Sequence, residues 1–414
     1  MDKIMKKLLS LATLIAATLA LTACNNPTIV PDEEQGDKPA VPITLTRAES
    51  AINASVNAFG LDVFRQINTL DKVSDLFVSP LSLSLALAMT SAGADGQTEA
   101  QMRSMLGFES CTNAEMAEYY RKMTEALLSI DPKTTLQIAN AIWTDKRITL
   151  KKGFISDVTK YYHSEAKSAD MSAKATIDAI NRWCAGHTNN KITKILDDSD
   201  TGLAVLLVNA LYFNGTWTTK FTETFDGKFR TLAGTGTPVT IMRAQRDMRY
   251  AATDKWQMVQ LPYGNGAFVM DLLLPAAGLD FEKAVKGLDA AQWEALVGAL
   301  RTREVHLEFP KFKMEYEINL NDVLQSLGML DAFTGAANFS KMSDFGMCID
   351  FVKQKTYVDV NEEGTEAAAV TAIGMKATSV GPSSVVSFIA DRPFVFAIRE
   401  ASTGSILFIG QKTK

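Results

Sequence analysis

Residues 203–213 read Leu-Ala-Val-Leu-Leu-Val-Asn-Ala-Leu-Tyr-Phe, a near-continuous apolar run with β-branched and aromatic members. A strand with one wet face alternates apolar and polar residues. A run without that alternation fits a central strand covered on both faces. Such a strand needs a wide sheet and layers on either side of it, and a chain of 414 residues with 47% apolar content can supply both. Phe268–Leu274, Val305–Phe309, Phe388–Ile398 and Ser405–Ile409 read as further strands. The earlier part reads as helical. Ala48–Gln66 places Ala51, Val56, Phe59, Val63 and Phe64 on one face. Ser79-Pro80 opens a second helix over Leu81–Gly93, with proline at a tolerated first position. Residues 98–106 and 114–129 continue in helical style. Helices first and strands later predict an α+β body with a large sheet. No repeat and no internal linker divides residues 47–414, so one domain is expected.

The N-terminus reads as an address. Lys3, Lys6 and Lys7 precede an uncharged apolar run, Leu8–Leu21. That is the pattern of a secretory signal peptide, and it is short for a membrane span. Leu21-Thr22-Ala23-Cys24 resembles the lipobox of bacterial lipoproteins, which implies removal of residues 1–23 and lipidation of Cys24. Asn25 follows rather than Asp, which favours an outer membrane or cell-surface location. Residues 24–46 read as the lipidated Cys and a flexible tether. Pro27, Pro31, Pro39 and Pro42 oppose helix, and Asp32, Glu33, Glu34 and Asp37 keep the stretch solvated.

Composition excludes several functions. A net charge of -5 without a basic stripe argues against nucleic acid as a partner. No G-x-S-x-G, G-x-x-x-x-G-K-[ST] or G-x-G-x-x-G pattern occurs, and Gly264-Asn265-Gly266 sits where a hairpin turn would. Asp198-Ser199-Asp200-Thr201-Gly202 lacks the distal Glu of a calcium loop and reads as a polar turn. His163, His187 and His306 are far apart, and Cys111, Cys184 and Cys348 have no Cys-x-x-Cys spacing, so neither metal nor cofactor is expected. An enzyme is not the expectation.

The informative stretch lies near the C-terminus. Thr356–Val360 alternates as a strand, Gly364 interrupts it, and a run of small residues follows. Gly374 and Gly381-Pro382-Ser383-Ser384 come next, and Phe388 restarts a strand. An exposed loop over about residues 364–387 is expected, in spite of the helix propensity of alanine. At a two-residue period one face carries Thr365, Ala367, Ala369, Thr371, Ile373 and Met375, with no charge and little bulk. The other carries Glu366 and Lys376, as a solvent-facing side would. This loop could also serve as a central strand.

Over nearly all of residues 47–414 the chain resembles the serpin family. Glu362-Glu363-Gly364-Thr365-Glu366-Ala367-Ala368-Ala369 is similar to the hinge of inhibitory serpins. Phe77-Val78-Ser79-Pro80-Leu81-Ser82, Val208–Trp217, Phe309-Pro310-Lys311-Phe312, Val323–Met329, Asp391–Phe396 and Ile406–Gly410 resemble further family motifs, in family order. The resemblance implies the serpin fold: a large central β-sheet able to accept the reactive loop as an extra strand, further sheets and about nine helices. It also implies a monomeric inhibitor of serine proteases and of some cysteine proteases. The loop is attacked as a substrate, and the hinge then inserts with the protease still attached. A strand from Thr365 to Thr378 spans roughly 40 Å at about 3.3 Å per residue. Counting from Glu362 as the family does, the resemblance implies a cleaved bond at Thr378–Ser379, with cleavage after Lys376 or Met375 as alternatives. Ser79, Ser82 and Asn209 match polar residues that exchange hydrogen bonds as the sheet opens, Trp217 matches the residue under the insertion point, and Lys311 matches the partner of Glu362. Gln354 stands where the family often has His, which implies a working seam without a protonation switch. A non-inhibitory serpin acting as a binding or carrier protein is the alternative.

Overall fold

The apolar run at 203–213 is a strand, β4 (Val205–Thr216), in the middle of a six-stranded sheet. The computed structural model describes residues 39–70, 74–366 and 385–414. On one side of β4 lie β2 (Thr135–Asp145) and the edge strand β3 (Glu165–Ala169). On the other lie β12 (Gly364–Thr365), β11 (Phe351–Asn361) and the edge strand β10 (Phe312–Asn319). The first nine residues of β4 are all buried, as a strand covered on both faces requires.

The second sheet has nine strands. Its path runs β1 (Leu76–Val78), β15 (Ile406–Lys412), β14 (Phe394–Glu400), β8 (Phe268–Pro275), β7 (Trp256–Tyr263), β6 (Gly236–Ala252), β9 (Arg301–Pro310) and β13 (Val386–Ile389). β5 (Glu223–Arg230) pairs with β6 off this path. The turn between β7 and β8 holds Gly264 and Gly266 at φ 44° and 88°, which accounts for Gly-Asn-Gly at that point.

Nine α-helices complete the described residues. They include α1 (Arg47–Leu70), α2 (Pro80–Ala92), α4 (Asn113–Ser129), α5 (Lys152–Tyr162) and α6 (Lys174–Gly186). Helix α2 touches β15 of one sheet and β2 and β4 of the other, and all but its last residue are buried. Its start is set locally: Pro80 is the first helical residue, and the Ser79 side chain accepts from the Ser82 amide. Helix α6 covers the opposite face of the six-stranded sheet. There Ile177, Ile180 and Cys184 join Trp143, Leu206 and Val208 in a separate apolar cluster.

Three features differ from the sequence expectation. Phe388–Ile398 is two strands, β13 and β14, in the same sheet but not adjacent to each other. Asp391-Arg392-Pro393 breaks the run, because proline supplies no ladder donor and keeps its predecessor out of helix. Helices do not simply precede strands, since β2 and β3 fall within the helical half. Residues 39–46, expected as the end of a tether, lie against the body. Ala40 N donates to Asn265 O, Ile43 N donates to Ser402 Oγ, and Ile43 and Leu45 pack on the core.

Candidate functional site at the fork of the six-stranded sheet

Strands β11 and β4 are parallel neighbours over only five register pairs, from Phe351↔Leu206 to Lys355↔Ala210. Beyond that point they diverge, and β12 lies between them, antiparallel to both. Gly364 pairs with Asn361 and Thr216, and Thr365 pairs with Val360 and Gly215. The sheet is therefore forked, and the hinge of the expected loop stands in the fork.

Gly364 has φ 153°, and a Cβ at its position would lie 2.1 Å from Gly215 O. Only glycine fits between the two strands there. Thr365 points into the protein and is 1% exposed. Its hydroxyl meets the Tyr263 hydroxyl at 2.6 Å. Burial pushes the Tyr263 phenol far above its ordinary value, the Thr365 contact opposing this only in part, so the phenol stays protonated. Trp217 stacks on Tyr263 with ring centroids 4.3 Å apart. The Trp217 indole donates to Asn361 O at 2.9 Å and its amide to Glu363 O at 2.9 Å. Trp217 thus fastens the turn that carries the hinge into the sheet.

Charges hold the rim of the fork. Lys311 Nζ sits 2.6 Å from Glu362 Oε2, and Lys220 Nζ 2.5 Å from Glu363 Oε2. Burial works to raise the Glu362 carboxyl, but the Lys311 ammonium and a backbone hydrogen bond together outweigh it and hold the pKa below the ordinary value. Glu366 departs from expectation. Its side chain is not solvent-facing but 3% exposed, and it is paired with Lys191 at 2.9 Å beneath the segment that follows α6.

Below the fork a polar network crosses the parallel seam. Gln354 Oε1 accepts from the Ser79 amide at 2.8 Å. Gln354 Nε2 donates to Ser79 O at 3.1 Å and to Asn209 Oδ1 at 2.7 Å. Asn209 Nδ2 donates to Ser82 Oγ at 2.6 Å and to Asn140 Oδ1. Ser79 Oγ donates to Leu407 O at 2.7 Å, which ties the seam to the other sheet. Ser79, Ser82, Asn209 and Gln354 come together here, while Trp217, Lys311 and the hinge residues gather about the fork. Two participants carried no sequence signal: Asn140, from the middle of β2, and Tyr263, from the end of β7. Each arrives by strand pairing with a residue distant in the chain.

The remaining expected residues make no second site. Asp198 and Asp200 pair with Lys174 and Lys353 in a turn before β4. Among the described residues no group of three or more His, Cys, Asp or Glu is placed to hold a metal ion. Cys111, Cys184 and Cys348 are free thiols. Cys24, Ala367, Ala368, Ala369, Met375, Lys376, Thr378 and Ser379 lie outside the described residues.

A wide sheet forked by a glycine hinge, with a polar network across its parallel seam, defines an α+β protein whose candidate functional site is a strand junction. The family profile described as "Serpin (serine protease inhibitor)" matches residues 54–414. Iripin-2 of Ixodes ricinus is 33% identical over 88% of this chain and 94% of its own length. The crystal structure of the thermophilic serpin tengpin in its native state superposes with a TM-score of 0.82 at 30% identity, covering 91% of this chain and 97% of that one. Thyroxine-binding globulin complexed with thyroxine gives a TM-score of 0.79 at 25% identity over 88% and 98% of the two chains. The chain belongs to the serpin family. Its family is one of protease inhibitors, not of proteases.

Proposed function

We propose that this chain is an exported inhibitor of serine proteases, and of some cysteine proteases, that traps its target covalently by loop insertion. One observation carries the reading: Gly364 and Thr365 already stand as a two-residue strand between β11 and β4. Continued in the same register, the residues after them would lengthen β12 and part the parallel seam. Each inserted residue exchanges parallel pairing of β11 with β4 for antiparallel pairing on both sides, the more stable kind per residue. The intact protein is then held by a kinetic barrier, and cleavage releases it. The protease supplies the nucleophile and forms an acyl-enzyme on the loop. Insertion carries that ester away from the attack point and distorts the protease before water can resolve it.

The bond attacked is Thr378–Ser379, with Lys376 and Met375 as the other candidate residues. The inward face, Thr365 followed by Ala367 and Ala369, carries no charge, which speeds insertion relative to hydrolysis. Lipidation at Cys24 would hold the molecule at an outer membrane or cell surface, acting as a monomer without a cofactor.

A non-inhibitory carrier is the second reading. It is favoured by a cavity of about 480 Å³ between residues 43–45, α1, the turn 402–404 and the helix α8 (Ala290–Ala299), lined in part by Ile43, Leu45, Trp293 and Val297. Incubating the full chain with a panel of serine and cysteine proteases separates the two on denaturing gels. Covalent complexes at the summed mass are expected. Clean cleavage with undiminished protease activity would leave the carrier reading, and mass spectrometry of the released C-terminal peptide identifies the bond.

A further inference from the structure

The insertion scheme uses Gly364 and Thr365 but leaves unexplained why β12 stops after two residues. Glu366 N donates to Asp359 O at 2.9 Å, which extends the Val360↔Thr365 register by one step. Its carbonyl does not follow. In a flat strand the N–H and C=O of one residue face the same neighbour. Here Glu366 has φ 60°, and its carbonyl accepts instead from Asn214 Nδ2 of β4 at 3.0 Å. A left-handed non-glycine residue persists only where its surroundings over-determine it.

The surroundings do so. The Glu366 carboxylate is buried against Lys191, and that contact, ahead of the opposing effect of burial, raises the Lys191 pKa. The Lys191 ammonium also lies 5.1 Å from the Tyr357 ring centre, which fixes its place over β11. Asn214 is oriented from behind, since its Nδ2 also reaches Tyr212 Oη at 3.3 Å, where Asn189 Nδ2 converges at the same distance. Side chains from β4 and from the segment after α6 therefore grip one hinge residue at its carbonyl and at its carboxylate.

We infer that Asn214 and Lys191 form a stop that holds insertion of the intact loop at Thr365. The inference rests on the insertion reading and adds a regulation to it. For β12 to grow, the 366–367 peptide must rotate so that its carbonyl turns towards β11. The Asn214 bond exists only before that rotation. Asn214 is thus a positioning residue acting through Glu366: it stabilises the resting state and has no counterpart in the inserted one. Lys191 clamps the side chain while the carbonyl is turned away.

The test uses the full-length protein and its Asn214→Ala, Asn214→Asp and Lys191→Ala variants. Asn214→Asp keeps the size of the side chain and removes the donor. Each intact protein is held just below its unfolding midpoint, and conversion to a urea-resistant form is followed on transverse urea gels. A sample of each is also nicked in the loop by a non-specific protease and its unfolding midpoint taken. Both Asn214 variants are expected to convert about fivefold faster than the parent, the factor belonging to one hydrogen bond. Lys191→Ala is expected to move in the same direction. The nicked forms should all unfold at the parent's nicked midpoint. Unchanged conversion rates overturn the stop, as do faster rates accompanied by an equal loss in the nicked forms, which would make Asn214 merely structural. A parent whose midpoint does not rise on nicking overturns the insertion reading itself, and the stop with it.

Discussion

Gln354 and Asn209 are register partners across the parallel seam, and Gln354 Nε2 donates to Asn209 Oδ1 at 2.7 Å. The seam is thus closed by a side-chain bond as well as by its short backbone ladder. Both residues are buried, at 1% and 2% exposure, so no water can take either partner's place.

Truncation of Gln354 should therefore be costly. Gln354→Ala strands the Ser79 amide and Asn209 Oδ1, while Ser79 O keeps the Leu83 amide, and the expected loss is about 1–3 kcal/mol, read as a lowered midpoint in urea. Gln354→His should instead bring in a pH dependence that the parent lacks at this position. A charged imidazole offers two donors and cannot accept from Ser79 N. Protonation is then disfavoured in the folded state, and stability falls as pH drops below about 6.5. Parallel pH profiles for parent and Gln354→His would refute the assignment.

The inward face of the loop can be tested through Ala367. Thr365 points at Tyr263, so residue 367, two positions on, falls on the same face if β12 lengthens. Ala367→Arg would carry a guanidinium into the core behind Tyr263 and slow insertion. The variant should be cleaved as a substrate, leaving active protease and little covalent complex on denaturing gels. Trapping at the parental yield would reverse the assignment of faces.

Much of this architecture is written locally. The doubly buried strand at 203–213 follows from its lack of alternation, and α2 follows from Ser79-Pro80 before an apolar run. The fork is less legible. Thr365 and Ala367 share an uncharged face in the sequence, which is enough to foresee a strand. Nothing in the sequence near Glu366 says that its carboxylate is buried, because the lysine that pairs with it comes from residue 191 and the amide that donates to its carbonyl comes from residue 214. Asn140 and Tyr263 were illegible for the same reason: a strand residue's chemistry depends on what its register brings opposite. The break at Asp391-Arg392-Pro393 was local and readable, but the apolar residues on either side of it masked the effect of the proline.

Gly364 gives a steric prediction. A Cβ there would meet Gly215 O at 2.1 Å and the Thr216 Cα at 2.7 Å, both backbone atoms that cannot swing aside. Gly364→Ala should expel β12 from the fork in the intact protein. Trp217, whose indole and amide hold Asn361 and Glu363, then loses its partners. A shift in tryptophan emission and faster amide exchange at residues 364–366 are expected. A variant with the parent's exchange pattern would mean that the hinge is not held between β11 and β4.

The Lys311–Glu362 pair sets a limit of a different kind. Its side chains are 31% and 34% exposed, so water screens the attraction, and Lys311→Ala should cost less than about 1 kcal/mol at neutral pH. The sign of its pH dependence follows from the lowered Glu362 pKa. A carboxyl that ionises more readily when folded contributes stability above its ordinary value of 4.5, and loses that contribution as pH falls through the folded value. The gap between parent and Lys311→Ala in urea midpoints should be complete at pH 7 and close in acid, once Glu362 is protonated. High salt should narrow it as well, because a pair at the rim is open to screening. A gap that persists unchanged in acid would place the role of Lys311 in packing rather than in charge.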